Sequence, residues 1–300
     1  MTGTELSYIA LASRDVPAVC EFLGDDLALP RHDITSPTGA QQAAFAVGRT
    51  ALVVFEAGDP FLSSPQTGID HIALVGDFAG QASAPEDTPG LNQTRQQTIA
   101  NAETCGVNVR LTQSIGLAAE PGDHIERVDH IGIASSDNIE AERIFLGSYG
   151  CIYESRQTDM EVSQAIESFT SDKYGVIYHT RRPQPIGGLR VSFLTVGDCE
   201  LEFLQNFDPA QGFAVEHGAP GNTKQDQGAI GRYIEKRGAG LHHIALKCHD
   251  IDPLLERLGN LGRRMIDRTG RPGSRRGRIG FVHPASLGGV LLHFVERQDL

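Results

Sequence analysis

The sequence predicts an α+β fold made of four modules, each a strand, a helix and further strands, grouped as two halves. Three observations carry that prediction. Four stretches repeat one pattern: LSYIALASRDV from Leu6, GIDHIALVGDF from Gly68, RVDHIGIASSDN from Arg127 and GLHHIALKCHDID from Gly240. Each runs from a β-branched, alternating segment into Asp or Ser and then into a helical period. Finally, VGRTALVVFEAGDP (47 to 60) and VGDCELEFLQNFDP (196 to 209) align without a gap, each reading as a turn, a strand and a turn.

In chain order, the first module has a strand at Leu6, a helix in VPAVCEFLGDDL and a strand within 47 to 60. The second has a strand at Gly68, a polar loop over 80 to 92 and a helix in TRQQTIANAETCG. AAEPGDHIER (118 to 127) reads as the connector between a first half, 1 to 117, and a second, 127 to 300. Taking Tyr8, His71, His130 and His243 as equivalent points, the copies stand 63, 59 and 113 residues apart, so the third module holds the insertions. It is expected to contain the helix IEAERIFLGSYG, an extended hairpin within 155 to 190 around RRPQPIGG, the strand of 196 to 209, and a long mobile loop or lid over 206 to 228. The fourth contains the strand at Gly240, the helix PLLERLGNLG and a last strand in GGVLLHFVE.

Composition narrows the function. A formal charge of −12 repels nucleic acid and anionic membranes, which points to small-molecule partners. The five cysteines are odd in number, widely spaced and without a C-x-x-C pair, which suits a reducing compartment. With neither a secretory leader pattern in MTGTELSYIA nor an apolar run long enough to span a membrane, the expectation is a cytoplasmic protein. Nothing in the composition opposes a homodimer.

Strand alternation assigns faces. In the third module Ile131 and Ile133 make the core face, and His130 points away beside Gly132 and Ala134. Leu201 and Phe203 leave Glu200 and Glu202 on the opposite face, where a buried carboxylate needs a cation, a proton or water. In the fourth module strict alternation puts His242 on the core face with Ile244 and Leu246, as packing, and His243 on the other. His293 sits opposite Leu292 and Phe294. One histidine on an inner face is ordinarily a packed residue, but four polar side chains at equivalent points of two modules argue for a ligand set.

With those residues in place, the sequence resembles the vicinal oxygen chelate superfamily of glyoxalases, bleomycin resistance proteins and dioxygenases. Residues 127 to 297 look most like the methylmalonyl-CoA epimerases, through VDHIGIAS, FLTVGDCELEFLQ, AIGRYIEKRGAGLHHIALKCHDID and GRIGFVHPASLGGVLLHFVE. The resemblance implies βαβββ modules paired into two halves. It also implies a metal held by His130, Glu202 and His243, with His293 where the family has a metal-binding Glu. A second family carboxylate has no clear equivalent, with Glu161 and Glu167 as candidates by neighbourhood. The first half offers Tyr8, Val53 and His71 at the corresponding points, so a degenerate, metal-free half is expected.

Two imidazoles and a carboxylate suit divalent Zn, Co, Mn, Ni or Fe. His293 is then either a fourth ligand or a catalytic base. The predicted activity is isomerase, epimerase or lyase chemistry at a carbon next to a carbonyl, on an anionic or carbonyl-containing substrate. The alternatives are a non-haem Fe(II) dioxygenase of the extradiol type and a metal-free small-molecule-binding protein. Seven arginines in GRRMIDRTGRPGSRRGR (262 to 278) read either as a solvated loop or as an anchor for an anion.

Overall fold

The computed structural model describes residues 4–76, 87–163, 166–180, 184–207 and 228–298; side chains at 161–163, 166, 167, 169, 178, 184–186 and 207 are not described. The first half contains β1 (Glu5–Ser13), α1 (Val16–Glu21), β2 (Arg31–Thr35), β3 (Gln41–Val47), β4 (Thr50–Glu56), β5 (Gly68–Val75), β6 (Thr88–Pro89), β7 (Arg95–Thr98) and β8 (Val109–Thr112). The second contains β9 (Ile125–Ala134), α2 (Asn138–Ser148), β10 (Ile152–Ser163), β11 (Ile166–Ser171), β12 (Gly175–Thr180), β13 (Gln184–Val196), β14 (Cys199–Phe207), α3 (Ala229–Arg237), β15 (Gly240–Cys248), α4 (Ile251–Asn260), β16 (Arg271–Pro272), β17 (Arg278–Val282) and β18 (Leu292–Glu296).

Each half is one eight-stranded sheet. Their strand orders, β2-β3-β4-β1-β5-β8-β7-β6 and β10-β13-β14-β9-β15-β18-β17-β16, correspond strand for strand. The gapless sequence match falls on β4 and β14, which lie parallel to β1 and β9 respectively. Asp15 and Asp137 cap α1 and α2 by accepting hydrogen bonds from backbone N–H groups of the first turn, which is why each strand passes into a helix at an Asp.

The apolar faces of both sheets share one core, which includes Ile9, Leu11 and Ile72 from the first half and Ile131, Phe145, Phe203, Ile244 and Phe294 from the second. That shared core holds the opposite, concave faces apart. The concave face of the first half is itself apolar, packed with Tyr8, Val53, Phe55 and Phe61. The second is not filled in this way.

Several expectations are corrected. TRQQTIANAETCG does not form a helix: Arg95–Thr98 make β7, and residues 101–103 a single 3-10 turn. The alternating side chains of β7 pair with β8, and that cross-strand partner overrides the helical pattern. The hairpin of the third module is real, with β10 antiparallel to β13, and β11 and β12 make a chain reversal ahead of RRPQPIGG, of which residues 184–188 begin β13 and 181–183 lie outside the described residues. Within the predicted polar loop of the first half, Thr88–Pro89 form β6 and Leu91–Gln93 a 3-10 turn. Residues 77–86 and 208–227, the latter most of the lid expected over 206–228, lie outside the described residues, as do the side chains of Glu161 and Glu167. All five cysteines are free thiols, and among the described residues no helix is long and apolar enough to cross a membrane.

Candidate metal centre

A single irregularity, repeated four times, aims the site. At each of the four equivalent points of the repeat the ladder skips one residue. Ser7 precedes Tyr8 and Asp70 precedes His71 at the β1–β5 skips, and Asp129 precedes His130 and His242 precedes His243 at the β9–β15 skips. A bulge leaves two residues facing one, so the bulged residue and its neighbour turn toward the same side. The repeat seen in the sequence is therefore a repeat of bulges as well as of strands.

The bulge overturns the assignment of His242 to the core face. Leu241 and Ile244 both pack in the core, and His242 lines the cavity together with His243. Their Nδ1 atoms lie 2.9 Å apart. Burial, then the His243 charge, pushes the pKa of His242 down to about 3, so the ring is neutral near pH 7. Gly132 makes room for the next ring. A Cβ at that position would lie 2.0 Å from Cε1 of His243.

His130, on β9, passes its Nδ1–H to Asp129 at 2.7 Å, which leaves the Nε2 lone pair facing the cavity. Asp129 is completely buried and receives Arg297 Nε at 2.8 Å and Arg275 Nη2 at 3.3 Å. Although burial works against the charge, the hydrogen bond from His130 and the two guanidinium groups hold this carboxyl well below the usual range. Arg275 also stacks over Phe193 at 3.8 Å and pairs with Glu200. The arginine-rich segment is thus neither a plain solvated loop nor wholly an anion anchor. Arg275 supports the histidine from behind, Arg278 pairs with Asp252 and Arg263 with Asp26, and Arg271 lines the cavity.

Four of the predicted residues come together. The ligand atoms of His130, His243 and His293 lie within 4.8 Å of one another. Glu202 Oε2 stands 3.3 Å from His130 Nε2 and 3.4 Å from His243 Nε2. All four side chains are buried. Burial drives the pKa of His293 well below its ordinary value, and that of His243 down. For His130 the Glu202 charge and the Asp129 hydrogen bond outweigh burial, so its pKa is raised; the facing imidazoles likewise keep Glu202 low.

Nε2 of His130, Nε2 of His243 and both ring nitrogens of His293 have no hydrogen-bond partner. Burying imidazole nitrogens unpaired is costly unless something fills the space between them. Nitrogen donors with one carboxylate are the donor set of a divalent first-row metal, and the residues present fit such an ion.

The centre opens onto a cavity of about 300 Å³. Its walls include Leu189, Val191, Ile279 and Phe281, with Gln157 and Asp159 from β10. Asp159 is a carboxylate that the sequence reading missed. It lies two positions from Gln157 on one face of a strand whose register was hidden inside an insertion. Burial, then the Glu202 charge, raises its pKa.

The first half carries a different set. His71 is satisfied at both nitrogens, by Asp70 at 2.6 Å and the Tyr8 hydroxyl at 3.2 Å. Val53 is fully buried at the point matching Glu202. The fourth position is Arg110, opposite Ala73 as His293 is opposite Ala245.

Comparison with known proteins agrees with this architecture. The uncharacterized protein YqjC of Bacillus subtilis (strain 168) is 38% identical over 64 residues, 21% of this chain and 46% of that protein. The mitochondrial methylmalonyl-CoA epimerase of Dictyostelium discoideum is 33% identical over 73 residues, 24% of this chain and 44% of the epimerase. The match spans less than half the length of these curated relatives. Among solved structures, a mutant 4-hydroxymandelate synthase from Streptomyces coelicolor is similar in fold over 100% of this chain and 94% of its own, with a TM-score of 0.60 at 14% identity. Methylmalonyl-CoA epimerase from Mycobacterium tuberculosis covers 62% of this chain and 95% of its own, with a TM-score of 0.40 at 23% identity. Residues 129–281, about half of the chain, running from β9 into β17, match the family model, and the chain belongs to the Glyoxalase/Bleomycin resistance protein/Dioxygenase superfamily.

Proposed function

We propose that this chain is a divalent-metal-dependent enzyme of the isomerase, epimerase or lyase type. It would act at a carbon next to a carbonyl on a small substrate held in the second-half cavity. The observation that carries this reading is the set of unpartnered, buried imidazole nitrogens of His130, His243 and His293 gathered beside Glu202. Those four residues would hold the ion, with Asp129 fixing the tautomer of His130. When bound, a divalent ion supplies Lewis acidity, making the proton next to a coordinated carbonyl easier to remove.

The rest is the work of the chain's own side chains. His293 is kept neutral by burial, with both nitrogens among the other donors, which suits it to ligation better than to proton transfer. Asp159 stands in the wall outside the donor set and is free to take a proton from the substrate carbon and return it. Arg271, paired through Nε with Asp267 at 3.1 Å, adds a positive charge to the cavity wall toward which a substrate carboxylate or phosphate would be drawn. Leu189, Val191, Ile279 and Phe281 exclude water from the reacting carbon.

The test has two parts. Elemental analysis of protein purified without added metal should find about one ion per chain, lost in His243→Ala. Proton NMR in D2O with methylmalonyl-CoA, and with the methylglyoxal–glutathione adduct, should show exchange of the proton next to the carbonyl. Metal-free wild type would overturn the centre. Metal without exchange, together with oxygen uptake on catechols, would replace the proton-transfer reading with the dioxygenase one.

A further inference from the structure

The first half contains a second cleft, of about 470 Å³, walled by Pro37, Pro60, Phe61, Leu62 and Pro89, with Gln96 and Arg110 among its polar lining. Arg110 is only 5% exposed. Its guanidinium lies over the Phe61 ring at 4.3 Å and donates through Nη2 to the Phe61 carbonyl, while Nε and Nη1 have no hydrogen-bond partner. Among the described residues no carboxylate comes within ion-pair distance of it. Asp70 is near enough to interact through charge, but its oxygens are taken up by His71 and the backbone N–H groups of Ser63 and Ser64. The Tyr8 hydroxyl lies beside the guanidinium, yet burial pushes its pKa up to about 12, so it supplies no negative charge.

A guanidinium has five N–H donors and does not lose its proton. Taking it out of water is costly unless an anion meets it. Here the cation lines the cleft, and two of its three nitrogens, covered from solvent, have no hydrogen-bond partner. We propose that this cleft is a second ligand site, in which Arg110 receives the carboxylate of a small organic acid whose apolar body lies between Phe61 and Pro89. A monocarboxylate fits better than a phosphate. There is one arginine at the base of the cleft, its fork matches a carboxylate, and the neighbouring charge of Asp70 opposes a dianion. The site stands independently of the metal centre: the bulge and the strand positions that gather imidazoles in one cup carry Arg110, Tyr8 and Gln96 in the other.

Benzoate, phenylacetate and inorganic phosphate serve as probes, followed by saturation-transfer NMR and by titration calorimetry. Benzoate or phenylacetate should bind wild type and His293→Ala alike. Affinity should fall at least tenfold in Arg110→Lys, which keeps the charge but not the fork, and binding should disappear in Arg110→Gln. Thr98→Trp, an exposed substitution at the cleft wall that leaves Arg110 in place, should also block binding, with folding of each variant checked by circular dichroism. Absence of carboxylate binding to wild type would overturn the site. So would carboxylate binding that survives Thr98→Trp and the folded Arg110 variants, or that is lost in His293→Ala, or phosphate binding in preference to carboxylate.

Discussion

His242 and His243 face the same side of β15, Nδ1 to Nδ1 at 2.9 Å, although neighbours on a regular strand face opposite ways. The two rings therefore have different parts in one site. His243 meets Glu202, and His242 sits behind His243 and edge-on to Tyr233. His243→Ala should lose the bound ion. His242→Gln should keep the stoichiometry while weakening metal affinity roughly 10- to 100-fold, as loss of a supporting hydrogen bond does. Competitive chelator titration separates the two outcomes, and equal loss in both variants would contradict this division.

Gly132 tests the packing of the centre. Its substitution to Ala drives a methyl into the His243 ring, a contact that cannot relax without moving a buried residue. Overpacking of this kind costs about 1–3 kcal/mol. Urea denaturation should show that loss, and metal content should drop with it. A fully stable, fully loaded Gly132→Ala variant would mean that His243 is not confined as described.

The buried carboxylate of Asp129 links the site to the arginines beneath it. Asp129→Asn retains an acceptor for His130 but removes the charge that Arg275 and Arg297 meet. Stability should fall by about 1–3 kcal/mol, and metal affinity by roughly 10- to 100-fold. Chelator competition and chemical denaturation measured on the same preparation read both.

Asp159→Asn addresses proton transfer directly. If the carboxylate moves the proton, exchange into D2O should slow by roughly 10² to 10⁴ while the metal content stays at the wild-type level. Unchanged exchange would return the role to another group in the wall.

The first half should impose its own acid sensitivity. His71 is fully buried, and burial, then the Arg110 charge, takes its pKa from 6.5 down to about 4. Between those values the unfolded chain binds a proton that the folded chain refuses. Stability is therefore intact above pH 6.5, falls through the window and levels off below pH 4. The loss attributable to this residue is on the order of 3 kcal/mol. Urea melts at pH 7, 5.5 and 4.5 should show a smaller decline in His71→Gln than in wild type; parallel declines would show that His71 is not the group responsible.

Much of the architecture was legible because it is written twice over. The fourfold strand pattern and the match of β4 with β14 follow from period-two hydrophobicity, which any half-buried strand must show. The same reasoning placed His130, Glu202, His243 and His293 on one face, since each is followed by an apolar residue of the core face: Ile131, Phe203, Ile244 and Phe294. It misread His242 and missed Asp129 as a supporting group, because a bulge breaks the period without changing composition. It missed Asp159 because a hairpin insertion obscured the register of β10, and it turned β7 into a helix because a strand of four residues has little pattern to read.

Local chemistry along the chain was enough to dictate where most strands run, which face of each regular strand is greasy and which residue types could bind a cation. The partition of labour between the two cups was settled by folding. Whether a buried cup holds idle imidazoles beside a carboxylate, or a guanidinium over a phenyl ring, depends on side chains brought together from strands distant in sequence. Pairing and burial, rather than residue identity alone, decide which polar atoms are left without partners.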